Sequence, residues 1–112
     1  MPEDVRADAA AALAEFCRAH SSASVADQLR YEYEVQDHSA LLIEKRPSFM
    51  DASSWNAMPV AKFRYSLAKK VWTLYWADSN ERWHRVSSVK AAANIRTLLD
   101  AVIADPSGVF WG

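Results

Sequence analysis

The chain has 112 residues, of which 51% are hydrophobic and 24% charged, and a formal net charge of −1. That size and balance suit one soluble globular domain over residues 1–112 and argue against a dedicated nucleic-acid protein. No apolar run approaches the ~20 residues that a membrane span needs, so no membrane partner is expected.

The first element is a helix over about residues 4–20. Val5, Ala9, Ala12, Leu13, Phe16 and Cys17 recur at helical spacing, alanine is abundant, and Asp4 can cap. "MPEDVRADAA" lacks the basic-then-apolar pattern of a signal peptide. Cys17 is the only cysteine, so no intrachain disulfide forms, and a cytoplasmic location is expected. "SSASVAD" then reads as a connector.

"RYEYEV" alternates as a half-buried strand, with Tyr31, Tyr33 and Val35 on one face and Glu32 and Glu34 on the other. "QDHSA" is a turn, "LLIEKR" the partner strand, and Pro47 its end. Leu41 and Ile43 are expected on the core face, with Glu44 and Arg46 on the polar one. "SFMDASSWNAM" reads as a loop anchored by Phe49 and Trp55. Strands follow at about 60–66 and 71–77, then the turn "DSNE" and a fifth strand, "RWHRV".

Ser87 or Ser88 opens a second helix over about 89–104, with Val89, Ala92, Ile95, Leu98, Leu99, Val102 and Ile103 as its apolar stripe. "DPSG" stops it. The ending "VFWG" carries Phe110 and Trp111, which are expected to dock on the core or on a neighbouring subunit. The pattern is an α+β fold: a five-stranded antiparallel meander with the N-terminal and C-terminal helices packed on one face.

Loop parity decides which side chains share a face. An even loop at Ala68-Lys69 pairs Leu67 with Lys70, Tyr65 with Trp72, Phe63 with Leu74 and Ala61 with Trp76. An odd loop would put those tryptophans beside Lys62 and Arg64, and burying such charges costs several kcal/mol. A two- or four-residue loop within "DSNE" sets Ala77 opposite Arg82, Trp76 opposite Trp83 and Tyr75 opposite His84. Trp83 then joins the core, and the polar face collects Lys62, Arg64, Ser66, Thr73, Tyr75, Arg82 and His84.

That polar face is the candidate functional surface. Residues 1–59 hold ten acids and five bases, a charge of −5; residues 60–90 hold seven bases and two acids, a charge of +5. The two regions can attract each other within one fold or between copies. Arg46, Lys62, Arg64, Tyr75, Arg82 and His84 form a set suited to a small anionic ligand or a protein partner, and a homodimer is expected. The competing reading is a solvated charge ladder, in which Glu32, Glu34 and Glu44 neutralise Arg46, Arg64 and Arg82.

Other chemistries have thinner support. General acid–base work would centre on His84, Tyr75 and Glu44. His84 and Asp78 are close in sequence, but no serine or cysteine motif joins them. Cys17 and His20 form half of a metal site that His38 or His84 would have to complete. Only Gly108 and Gly112 are glycines, so phosphate loops are absent and no cofactor is expected. Single-stranded nucleic acid is disfavoured, because inward tryptophans leave Tyr75 as the main stacking residue and the acidic neighbours repel phosphate.

"MPVAKFRYS", "VWTLYWADSNERWHRV" and "LLDAVIADPSGVFWG" resemble an uncharacterised family, the domain-of-unknown-function family numbered 3024. The family pattern has an Ala-Lys-Phe-Arg-Tyr-like strand, a Trp-x-Leu-Tyr-Trp strand, an Asp-x-Asn turn with a Trp-His pair, and a closing Asp-Pro-x-Gly-x-Phe-Trp-Gly. The resemblance covers residues 58–112; the N-terminal half matches in pattern alone. It implies a small bacterial protein of a kind whose genes often travel as mobile cassettes, and it supplies no reaction. It points to Arg64, Asp78, Asn80, Trp83, His84 and the tail, although Asp78 and Asn80 also suit a tight turn.

Overall fold

The computed structural model describes residues 1–20, 30–47, 55–105, 108 and 110. The element order is α1 (Glu3–His20), β1 (Arg30–Val35), β2 (Ser39–Pro47), β3 (Trp55–Ser66), β4 (Val71–Ala77), β5 (Trp83–Arg85) and α2 (Ile95–Ala104). The strands pair antiparallel in the order β1-β2-β3-β4-β5, so the sheet is a meander. Both helices pack on one face, an α+β arrangement. The connector at 21–27 and Phe49 lie outside the described residues.

α1 buries Ala9, Ala12, Leu13 and Phe16, while Val5 and Cys17 pack on the core as partly buried flanks. These positions recur every three to four residues, so they form one stripe. Arg96 Nη1 lies 2.7 Å from Asp8 Oδ1 and ties α2 to α1. α2 buries Ile95, Leu98, Leu99 and Val102, but Ile103 is 49% exposed.

α2 starts later than its apolar spacing predicts. Its N-cap is Asn94, whose side chain accepts from the Arg96 N–H, rather than Ser87 or Ser88. The preceding residues instead satisfy the free edge of β4. Val86 N–H donates to Leu74 O, and Ala92 exchanges both backbone bonds with Trp72. An edge left unpaired beside the core would strand buried donors, which outweighs the extra helical residues at 89–94. Val89 and Ala92 still pack on the core, Val89 from a turn that its N–H closes on Val86 O and Ala92 from its bridge to Trp72.

The β3–β4 register has the expected parity: Ala61 pairs with Trp76, Phe63 with Leu74 and Tyr65 with Trp72. The loop is four residues, 67–70, rather than two, and Leu67 and Lys70 do not pair. Lys70 N–H donates to Ser66 O, and Lys70 takes a left-handed conformation with φ 54°. Phe63, Tyr65, Trp72 and Leu74 are buried among Ala40, Leu42 and the helix residues. Each such burial stabilises by ~1.5–3 kcal/mol.

β2 inverts the expected facing. Tyr33 pairs with Leu42 and Val35 with Ala40, so Ala40 and Leu42 point under the helices, both fully buried. Leu41 and Ile43 go to the helix-free face, and Glu44 and Arg46 to the helix side. "LLI" is apolar at every position, so alternation alone cannot choose its face. β3 begins at Trp55, inside the stretch expected to be a loop. Leu42 pairs with Ala61 and Ile43 with Pro59, so Val60 is an extra, bulged residue. Proline has no ladder N–H to give, and a bulge is where a strand tolerates it.

Candidate functional site

The β4–β5 hairpin decides the composition of the helix-free face, and its register is one residue off the expected one. Ala77 pairs with Trp83, Trp76 with His84 and Tyr75 with Arg85. Asp78 organises the loop. Its N–H donates to Arg82 O, and its carbonyl accepts from Glu81 N–H, both at 2.9 Å. Its carboxylate Oδ1 accepts from the N–H groups of Asn80 and Arg82. Glu81 sits in the left-handed region at φ 61°. This is a three-residue hairpin loop, a turn followed by a left-handed residue. Glycine is the usual occupant of that last position, and its absence hid the odd parity from a sequence reading.

The consequence is an exchange of faces. Trp83 leaves the core stripe for the helix-free face, beside Lys62, whose Nζ lies 6.0 Å from the indole centroid. His84 moves to the Trp76 side, where the two rings lie 4.9 Å apart at 31°. Arg82 closes the loop instead of joining the strand row, and Arg85, not singled out from the sequence, takes the place opposite Tyr75. Of the six expected site residues, Lys62, Arg64 and Tyr75 come together; Arg46, Arg82 and His84 do not.

Lys62, Arg64, Tyr75 and Trp83 line a shallow hollow of about 180 Å³. One pairing row crosses all five strands through it: Glu34, Leu41, Lys62, Tyr75, Arg85. The row is acidic at β1 and basic at β5, with neighbouring positions ~4.8 Å apart. Leu41, Ile43, Pro59, Tyr75 and Trp83 are each partly exposed on this face, whereas Arg64 and Arg85 are exposed.

The expected charge ladder forms only at its acidic end. Lys45 Nζ pairs with Glu32 Oε2 at 2.6 Å. Arg46 Nε pairs with Glu44, but on the helix side. Among the described residues, Lys62, Arg64 and Arg85 have no carboxylate partner. Glu34 has none either.

The acid–base trio is dispersed. His84 Nε2 lies 2.7 Å from Asp78 Oδ2 and its side chain is 48% exposed. Tyr75 faces the opposite side of the sheet. Glu44 lies at the rim of a separate hollow with Met58 and Phe110. The Asp78 carboxyl is held below the usual carboxylate range, first by the His84 hydrogen bond and then by the Arg82 N–H.

Cys17 packs against the core, and His20 stacks on Phe16 with ring centroids 4.3 Å apart. Among the described residues, no three His, Cys, Asp or Glu side chains group as metal ligands. Burial, and then the charge of Glu32, pushes the Cys17 thiol up to about 11. A further hollow of about 320 Å³, not anticipated from sequence, opens between α1 and α2 beside Phe16, Leu99 and Ile103.

Asp105 ends α2 in the left-handed region, its N–H donating to Ala101 O, and its carboxylate accepts from the Phe110 N–H. Phe110 therefore packs against the core of its own chain. Trp111 lies outside the described residues. No described helix is long and apolar enough to cross a membrane.

No curated protein and no solved structure matches the chain. A family model does, over residues 1–112, so the likeness takes in the N-terminal half as well as the motif-bearing second half. The chain therefore belongs to the family described as domain of unknown function DUF3024.

Proposed function

We propose that this domain is a non-enzymatic interaction module that takes a carboxylate-bearing protein surface on its helix-free sheet face. The observation that carries the reading is the group of three cations without carboxylate partners, Lys62, Arg64 and Arg85, around the Tyr75–Trp83 hollow. Solvated charge ladders normally neutralise themselves across strands, and this one does so only at β1–β2. Arginine forks suit carboxylates, and the apolar neighbours Leu41, Ile43 and Pro59 supply the desolvated centre that an interface needs. The separation of His84, Tyr75 and Glu44 supports a binding role over acid–base catalysis. A reducing, cytoplasmic setting fits the free thiol of Cys17.

Hexaglutamate peptide, titrated at low salt into ¹⁵N-labelled protein, tests this. Amide shifts concentrated on β3–β5 and abolished by the Lys62→Glu/Arg64→Glu pair are expected. Shifts spread equally over the other surface lysines, Lys69, Lys70 and Lys90, would overturn the reading.

One observation favours a second reading. With Trp83 on the helix-free face, two aromatics interleave with three cations, which is the composition of a single-strand stacking platform. Glu32 and Glu34 on the same face oppose phosphate. Salt-dependent retention of the protein on an oligothymidine column, lost on Trp83→Ala, would support it over the first.

A further inference from the structure

From the charge order along the pairing row, we infer that the partner on the helix-free face is a second copy of this chain, packed face to face about a two-fold axis. This rests on the interaction-module reading and names its occupant.

The face is self-complementary. Along the row through Lys62 its acidic end is Glu34 on β1, while on the same face Glu32 is held by Lys45 and Arg30 stacks over Trp55; its basic side is Lys62, Arg64 and Arg85 on β3 to β5. An isologous interface must match a patch to itself, so a row that is acid at one end and base at the other can do so. A two-fold axis parallel to the strands and over the β2–β3 seam reverses the strand order. It lays β1 of one copy over β4 of the other and β2 over β3. Glu34 then falls on the hollow lined by Lys62, Arg64, Tyr75 and Trp83 of the second copy. The same contact forms twice. Leu41 and Ile43 come to the centre of the interface, where partly exposed apolar side chains are otherwise left to water.

The intramolecular geometry leaves these charges available. Glu34, Arg64 and Arg85 are exposed, and Glu34 has no ion-pair partner among the described residues. Glu32 is already held by Lys45, which leaves Glu34 to supply the accepting carboxylate of the intermolecular contact. Aligned packing of two sheet faces is an ordinary architecture, with strand directions within about 30°.

Sedimentation equilibrium across a dilution series, with charge reversals, tests the inference. The wild-type chain is expected to form a dimer that weakens as salt rises. Glu34→Lys and Lys62→Glu are each expected to weaken it by at least about tenfold, because each reversal acts at two symmetry-related contacts. Combining them in one chain is expected to recover most of the loss. Ile43→Asn, at the apolar centre, gives a second and charge-independent route to monomer. Circular dichroism checks that each variant folds. A monomer at every concentration overturns the inference, as does a dimer indifferent to all of these changes. In either case the hexaglutamate titration still decides separately whether the face binds carboxylates.

Discussion

Tyr75 pairs with Arg85, not with His84, and that one-residue difference divides the aromatic hairpin between two faces of the sheet. Trp76 and His84 stack on the helix side, while Trp83 stands with Tyr75 and Lys62 on the other. Asp78 sets the division, because its backbone and carboxylate close a three-residue loop.

The hairpin should therefore respond to acid through Asp78. Its carboxyl is depressed in the fold, chiefly by His84 and then by the Arg82 N–H. A depressed carboxyl contributes stability that is complete above its unfolded value and is lost as pH falls through its folded value. Carboxyl-detected NMR should show Asp78 titrating below the ordinary aspartate value. Asp78→Ala should speed amide exchange in β5 at neutral pH and leave α1 unaffected.

Two adjacent leucines should differ sharply. Leu42 is fully buried under the helices, and Leu42→Ala is expected to cost ~2–5 kcal/mol. Leu41 is partly exposed on the other face, so in the monomer Leu41→Ala should cost about 1 kcal/mol or less. Urea melts at dilute concentration measure both. Equal losses would contradict the β1–β2 register.

Glu81 occupies a left-handed position at φ 61° that costs a residue with a Cβ about 1–2 kcal/mol. Glu81→Gly should remove that cost and stabilise the chain by about 0.5–1 kcal/mol after the added entropy of unfolded glycine. A rise in the thermal midpoint with β5 shifts otherwise unchanged is the expected readout.

Cys17 should be slow to react. Its thiol lies at about 11, raised by burial and then by Glu32, against an ordinary 9.0. At pH 8, iodoacetamide alkylation should be on the order of a hundredfold slower than in urea, since the thiolate is the nucleophile. A raised thiol stabilises the fold fully below the ordinary value. That contribution fades as pH rises from 9.0 toward about 11.

Much of the architecture was legible in the residues. The stripe of α1, the alternation of "RYEYEV" and the β3–β4 register all follow from placing apolar side chains together and keeping Lys62 and Arg64 out of the core. The candidate site was legible only in part. Lys62, Arg64 and Tyr75 lie on strands whose facing the core dictates. Arg82, His84 and Trp83 depend on a loop whose left-handed residue is a glutamate, so no glycine marks the turn. Arg46 depends on β2, where consecutive apolar residues leave either face equally plausible from periodicity.

By itself, the sequence determined the number and order of elements, the α+β class and which residues of β3 and β4 must be buried, because burial of a charge costs more than any local preference recovers. Only the tertiary structure decided the start of α2, the facing of β2 and the side on which Trp83 and His84 lie. The reason is common to all three. Val86 and Ala92 serve a strand edge, Val60 bulges beside a proline, and Asp78 folds its loop around its own carboxylate. Each depends on backbone groups finding partners in three dimensions, which side-chain periodicity does not encode.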